Sequence, residues 1–162
     1  MRQVISAPAH LDVAALAARL GGGFEVCRDP SRAACERYGY QTLYEVPVPL
    51  QKRLRRALIA EHARLLEASP AIVCDHSVFA WLADWMRWLW SETPAEEWEA
   101  VLAEARPAVE RSEVIHHVVA APRAPYDGYR WLDARSGAQA ERLMRALYRD
   151  FGCEARVREA RG

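Results

Sequence analysis

Residues Val4–Gly23 read VISAPAHLDVAALAARLGGG. An apolar run suited to a strand enters a turn of small residues, an Ala/Leu-rich helical pattern follows, and glycines able to take the left-handed conformation end it. A strand feeding directly into a helix is how a parallel sheet begins, because parallel neighbours need a crossover and cannot be joined by a hairpin. The turn itself is unusual. Between Ser6 and Leu11 it holds only Ala7, Pro8, Ala9 and His10, with no glycine, no lysine and one proline that lacks a backbone donor.

The same alternation continues along the chain. Short apolar runs predict strands at Gln3–Ser6, Phe24–Cys27, Ala71–Cys74, Val114–Ala120 and Glu154–Arg158. Amphipathic stretches predict helices at Leu11–Leu20, Ser31–Tyr38, Leu50–Glu67, Val78–Trp90, Pro94–Ala105 and Ala138–Phe151. In TPAE, Thr93 is placed to cap a helix, Pro94 suits its first position and Glu96 can reach back to the cap. Pro47 and Pro49 predict an extended connection before the third helix, and Gly152 a left-handed stop after the last. The expected fold is α/β, three layers, with a parallel sheet of about five strands and helices on both faces.

At 162 residues the chain fits one domain, residues 1–162, large enough to bury a core without disulfides or metals. Its 51% apolar content excludes a disordered chain, and 22 basic against 22 acidic side chains leave no global field to draw nucleic acid or anionic lipid. Cys27, Cys35, Cys74 and Cys153 are widely spaced, with no C-x-x-C pair and no histidine at zinc-ligand spacing. No metal is expected, and Cys74, ending an apolar run, reads as a buried reduced thiol. No stretch approaches a membrane span and no signal-like apolar segment follows a basic start, so the expected location is cytoplasmic.

Several short motifs fall in a familiar order. After LAARLGG come CRDPSRAACERYG, then RALIAEHARLLEASPAIVCDHSVFAWLADW, then VVAAPRAPYDGYRWLD. This order resembles P-loop nucleoside and nucleotide kinases, especially the small AAA-like domain related to nicotinamide riboside kinases. The resemblance implies that Asp29 and Arg32 occupy substrate-side positions at the end of the second strand. It matches Asp75-His76-Ser77 to the D-R-S or E-R-S motif that ends the third strand, whose acid serves as a base or holds water around magnesium. It matches Asp127, Gly128 and Arg130 to the lid segment, with Arg130 facing phosphate. His76 stands where the family has arginine, which removes a permanent phosphate-binding charge.

The departure from that family is greatest where it binds the donor. A G-x-x-x-x-G-K-[ST] loop wraps backbone N–H groups around phosphates, adds a lysine and offers a hydroxyl to magnesium. Aligned on the end of the first helix, the turn here is about four residues short of that motif. Lys52, the chain's sole lysine, lies on the third helix instead. Losing several charge-assisted hydrogen bonds, each worth about 1.5–3 kcal/mol, is enough to abolish ordinary ATP affinity. The expected function is therefore a noncatalytic kinase-like interaction or regulatory protein with no cofactor. Two alternatives stay open: a phosphotransferase on a nucleoside-like molecule, using ATP and magnesium with Asp75 as base, and a small-metabolite sensor built on the acceptor pocket.

Other side chains carry weaker signals. VFAWLADWMRWLW places Trp81, Trp85 and Trp88 on one helical face, which is either a core stripe or a partly exposed platform for a protein partner or a second copy. KRLRR over residues 52–56 is either a solvated face or a contact for an acidic partner. His116 and His117, adjacent in a strand, must point to opposite faces. His10 lies near a helix N-terminus, where with Arg130 it could leave a residual anion site. No G-x-S-x-G elbow is present, and no nucleophile is assigned.

Overall fold

The computed structural model describes residues 1–7, 16, 19–20, 22–27, 30–119 and 134–160. Five strands, β1 (Arg2–Ser6), β2 (Glu25–Cys27), β3 (Ile72–Cys74), β4 (Val114–Val118) and β5 (Val157–Ala160), form one sheet in the order β2-β3-β1-β4-β5. Every pairing is parallel. The helices are α1 (Ser31–Arg37), α2 (Val48–Ala68), α3 (Val78–Trp88), α4 (Ala95–Arg111) and α5 (Ala134–Asp150).

The pleat divides each central strand between two cores, since successive side chains take opposite faces. Val4, Ile72, Cys74 and Ile115 join the larger core with Leu66 of α2, Phe79 and Trp81 of α3, Val101 of α4 and Met144 of α5. Ile5, Val73 and Val118 point the other way and pack with Ala7 and Leu16, flanked by Leu20 and Phe24. Leu20 N–H donates to Leu16 C=O at 3.0 Å, an i to i−4 bond in the layer over that second face. A sheet covered on both sides is the three-layer α/β arrangement.

Boundaries moved where tertiary packing overrode local signals. The last strand lies at Val157–Ala160, beyond the expected Glu154–Arg158, because residues 154–156 form a tight 3₁₀ turn first. The fourth ends at Val118. The helix of residues 78–90 stops at Trp88 and continues as a 3₁₀ turn over Trp90–Glu92. Helix α2 starts at Val48 although Pro49 follows, since first-turn N–H groups have no helical partner to lose. Helix α4 runs to Arg111 through Pro107. Ala105, Ala108 and Val109, at 0–2% exposure, give that turn a buried face that outweighs the lost hydrogen bond.

The Thr93–Glu96 capping box does not form. Pro94 is the cap residue without a side-chain bond, and the Thr93 hydroxyl instead donates to Leu89 C=O at 2.6 Å and accepts from Trp85 Nε1 at 3.0 Å. A buried indole N–H needs an acceptor more than a solvent-facing helix end needs a cap. Ser77 does cap α3, accepting from Ala80 N–H at 3.2 Å. Gly152, at φ 64°, stops α5 as expected.

The tryptophan stripe is mostly core. Trp81 and Trp85 are 2% and 0% exposed, which corrects their candidacy for a partner surface in favour of the core stripe; only Trp88 of the three, at 39%, reaches solvent. Their i, i+4, i+7 face rotates outward by its last member, as the helix leaves the core. Replacing Trp85 by Ala is expected to cost about 3–5 kcal/mol in urea denaturation, through its cavity and the orphaned Thr93 contact. Trp88→Ala should cost about 1 kcal/mol or less.

Candidate functional site

In an open parallel sheet, ligands sit beyond the carboxyl ends of the strands, where loops diverge. Two polar clusters lie there among the described residues. The first is at the end of β1. Ser6 Oγ and Ser77 Oγ are hydrogen-bonded, and both residues are fully buried. Tyr148 of α5 reaches Ser6 as well and is hydrogen-bonded to His117 Nδ1 at 2.9 Å. His117 Nε2 lies 3.6 Å from Glu141, whose carboxylate also accepts from Arg145.

Burial is the main force on these ionisable groups. It pushes the Tyr148 hydroxyl above its ordinary range, and it lowers His117, with Arg145 adding in the same direction against the weaker pull of Glu141. At neutral pH the chain Ser77–Ser6–Tyr148–His117 is uncharged. It is a hydrogen-bonded floor that fastens α3 and α5 to β1 and β4. His116, on the opposite face, is hydrogen-bonded to Gln3 of the neighbouring strand. The two adjacent histidines therefore separate as the pleat requires.

The second cluster lies at the ends of β2 and β3. Cys27, Pro30, Glu61, His62, Leu65, Cys74, Asp75, His76 and Trp81 line a cavity enclosing about 10 Å³, room for about one water. Asp75 is half-buried, and its N–H donates to Cys27 C=O at 3.0 Å, carrying the pairing one step past β3. The rings of His62 and His76 lie 5.3 and 5.0 Å from that of Trp81. Two polar atoms of this wall, His62 Nε2 and Trp81 Nε1, are buried without a hydrogen-bond partner. Each is placed to serve a small polar guest, Trp81 as a donor and neutral His62 by either tautomer.

His62 is pushed down to about 3, first by complete burial and then by the nearby His76. The cavity thus presents an uncharged imidazole at ordinary pH. Nothing in the spacing of the sequence singled out His62, which reads as one polar position of an amphipathic helix. It becomes a site residue only because α2 packs it against Trp81.

The sequence-predicted residues divide accordingly. Asp75 and His76 come together in the cavity, and Trp81 joins them as a wall residue. Arg32 is placed on α1. His10, Asp29, Asp127 and Arg130 lie outside the described residues. Among the described residues, no three His, Cys, Asp or Glu side chains are grouped to hold a metal ion, and no helix is long and apolar enough to cross a membrane.

The basic cluster of α2 meets acids of its own chain. Lys52 Nζ donates to Glu97 at 2.5 Å and to Glu92 C=O, and Arg56 forms a two-point pair with Glu104. Arg55, 1% exposed, lies 3.8 Å from Asp84 of α3. The Lys52 and Arg56 contacts hold the parallel helices α2 and α4 in register, and the Arg55 contact ties α2 to α3.

Because a buried neutral histidine resists protonation while an unfolded one does not, His62 adds stability above pH 6.5 that is lost progressively as pH falls toward 3. His62→Gln, which cannot titrate, should lose about 2 kcal/mol less stability than the parent between pH 7 and pH 5, measured by urea midpoints. Equal losses would show that His62 charges freely in the folded state. No protein-family model matches this chain, and no curated protein matches it.

Proposed function

We propose that this chain is a noncatalytic, kinase-shaped regulatory protein that has lost conventional nucleotide binding and works through protein contact. The observation that carries the reading is the position of Lys52. The sole lysine bridges α2 to Glu97 and to the carbonyl of Glu92, so its charge is spent between helices. A phosphate-binding lysine would have to break that partly buried pair before meeting a ligand. The shortened sequence after β1 points the same way, as does the uncharged hydroxyl and imidazole cluster at the end of that strand.

The contact surface in this reading is aromatic. Trp90 and Trp88 are 52% and 39% exposed, Tyr44 packs edge-on against Trp88 at 5.0 Å, and Trp98 against Trp90 at 5.6 Å. Arg87 stacks over Trp88 at 4.9 Å. Tryptophan and arginine together are the side chains that most often anchor protein interfaces.

A second reading, a small-metabolite sensor, is favoured by the cavity holding His62 and Trp81. The phosphotransferase reading needs a donor site that the spent lysine disfavours.

Titration calorimetry with ATP or GTP plus magnesium should give no binding heat, and a Kd below about 10 µM would overturn the proposal. Light scattering addresses the contact surface, with a second copy as the partner most directly tested. Self-association abolished by Trp90→Ala supports it.

A further inference from the structure

The pairing register sets two cysteines side by side. Cys27 of β2 and Cys74 of β3 are direct partners in the parallel ladder, so their side chains leave the same face of the sheet. Adjacent strands run about 4.7–4.9 Å apart, inside the Cα separation of about 4.4–6.8 Å that a disulfide spans. The two thiols are hydrogen-bonded to each other. Cys74 is 1% exposed, whereas Cys27 is only partly buried at a sheet edge.

Both line the cavity described above, whose free volume suits a water-sized molecule. Trp81 brings to the same wall an indole N–H without an acceptor. A dithiol, one sulfur of which is partly exposed at the sheet edge where a small oxidant can approach, thus adjoins a wall with an indole N–H. The other two cysteines are placed differently. Cys35 is buried with Leu43, Val46 and Leu54, and Cys153 donates to Tyr148 C=O at 3.5 Å.

We propose that Cys27 and Cys74 form a reversible oxidation site for hydrogen peroxide or a peroxide of similar size, closing to a disulfide that ties edge strand β2 to β3. This role stands apart from the function proposed above. Cys27 gives up its proton to solvent and its thiolate sulfur attacks one peroxide oxygen; an S–O bond forms, the O–O bond breaks, and the departing hydroxide takes back a proton from solvent, equal to the one released, to leave as water. The product at Cys27 is a sulfenic acid. Cys74 sulfur then attacks Cys27 sulfur, the S–S bond forms as S–O breaks, and the Cys74 proton leaves with the hydroxyl as a second water. Two thiols are oxidised by two electrons, and one peroxide is reduced to two waters.

The hydrogen bond from Cys74 favours the thiolate of Cys27 and pulls it below the ordinary thiol range, while Cys74 is pushed up by the same bond and by burial. Cys27, the partly exposed sulfur of the pair, is thereby the attacking one, and the buried Cys74 the resolving one.

The experiment exposes the native full chain to hydrogen peroxide and maps alkylated and non-reduced peptides by mass spectrometry. A disulfide joining the peptides of Cys27 and Cys74 is expected, with the loss of two hydrogens, reversal by dithiothreitol, and oxidation about ten-fold faster than at Cys35 or Cys153. Cys74→Ser should stop the reaction at a Cys27 sulfenic acid that dimedone traps. Circular dichroism of each sample establishes that the fold persists. Cys27 and Cys74 remaining reduced in the folded chain, or bridging only after denaturation, overturns the proposal, as does a dominant disulfide to Cys35 or Cys153. Because parent-protein peptides report these outcomes, the result does not hinge on a variant folding.

Discussion

Burial of β1 on both faces is the constraint from which the rest of the molecule follows. Val4 and Ile5 are each fully buried, one toward the helices and the other toward the opposite layer. A strand in that position cannot be an edge, and β3 and β4 accordingly flank it in register. Its carboxyl end then falls at the middle of the sheet, where α3 and α5 converge. Ser6 meets both through the hydroxyls of Ser77 and Tyr148. An uncharged floor at this point costs little to desolvate, whereas a fixed charge would need a partner or a ligand.

Charge in this protein is used to align helices more than to face a substrate. Three of the four basic residues of the run on α2, Lys52, Arg55 and Arg56, meet Glu97, Asp84 and Glu104, while Arg53 is exposed. The pairs differ in worth: those near the surface contribute modestly, and Arg55, deep in the interior, gains only partial compensation from a carboxylate at 3.8 Å. The tryptophans show a comparable division of labour along one helix. Trp81 and Trp85 fill the core, while Trp88 and Trp90 leave it with Tyr44 and Arg87 around them.

The cavity between β2, β3, α2 and α3 is small, but its wall is chemically dense. Two thiols, two imidazoles, two carboxylates and an indole surround a volume of about one water. Complete burial keeps His62 neutral, so the chemistry available there is that of hydrogen bonding and sulfur. Helices and sheet edge must all be in place to enclose it, and the site is therefore as stable as the packing of α2 on α3.

Local pattern determined much of the fold. Period-two and period-3.6 hydrophobicity placed all five strands and five helices, with the end of α4 missed by six residues and the expected helix Leu11–Leu20 lying largely outside the described residues, and the strand-turn-helix pattern of the opening pointed to a parallel sheet. The glycine stop at residue 152 and the separation of His116 from His117 are consequences of backbone geometry, which adjacent residues specify completely. What tertiary structure alone decided were the meetings between distant segments. Thr93 serves Trp85 instead of its own helix, α4 continues through Pro107 because its next turn is buried, and His62 acquires its depressed basicity only where packing buries it near His76. Cys27 and Cys74, 47 positions apart, become neighbours through strand register. Such contacts depend on which faces are pressed together and dried, a quantity set by the whole packing and carried by no single stretch of chain.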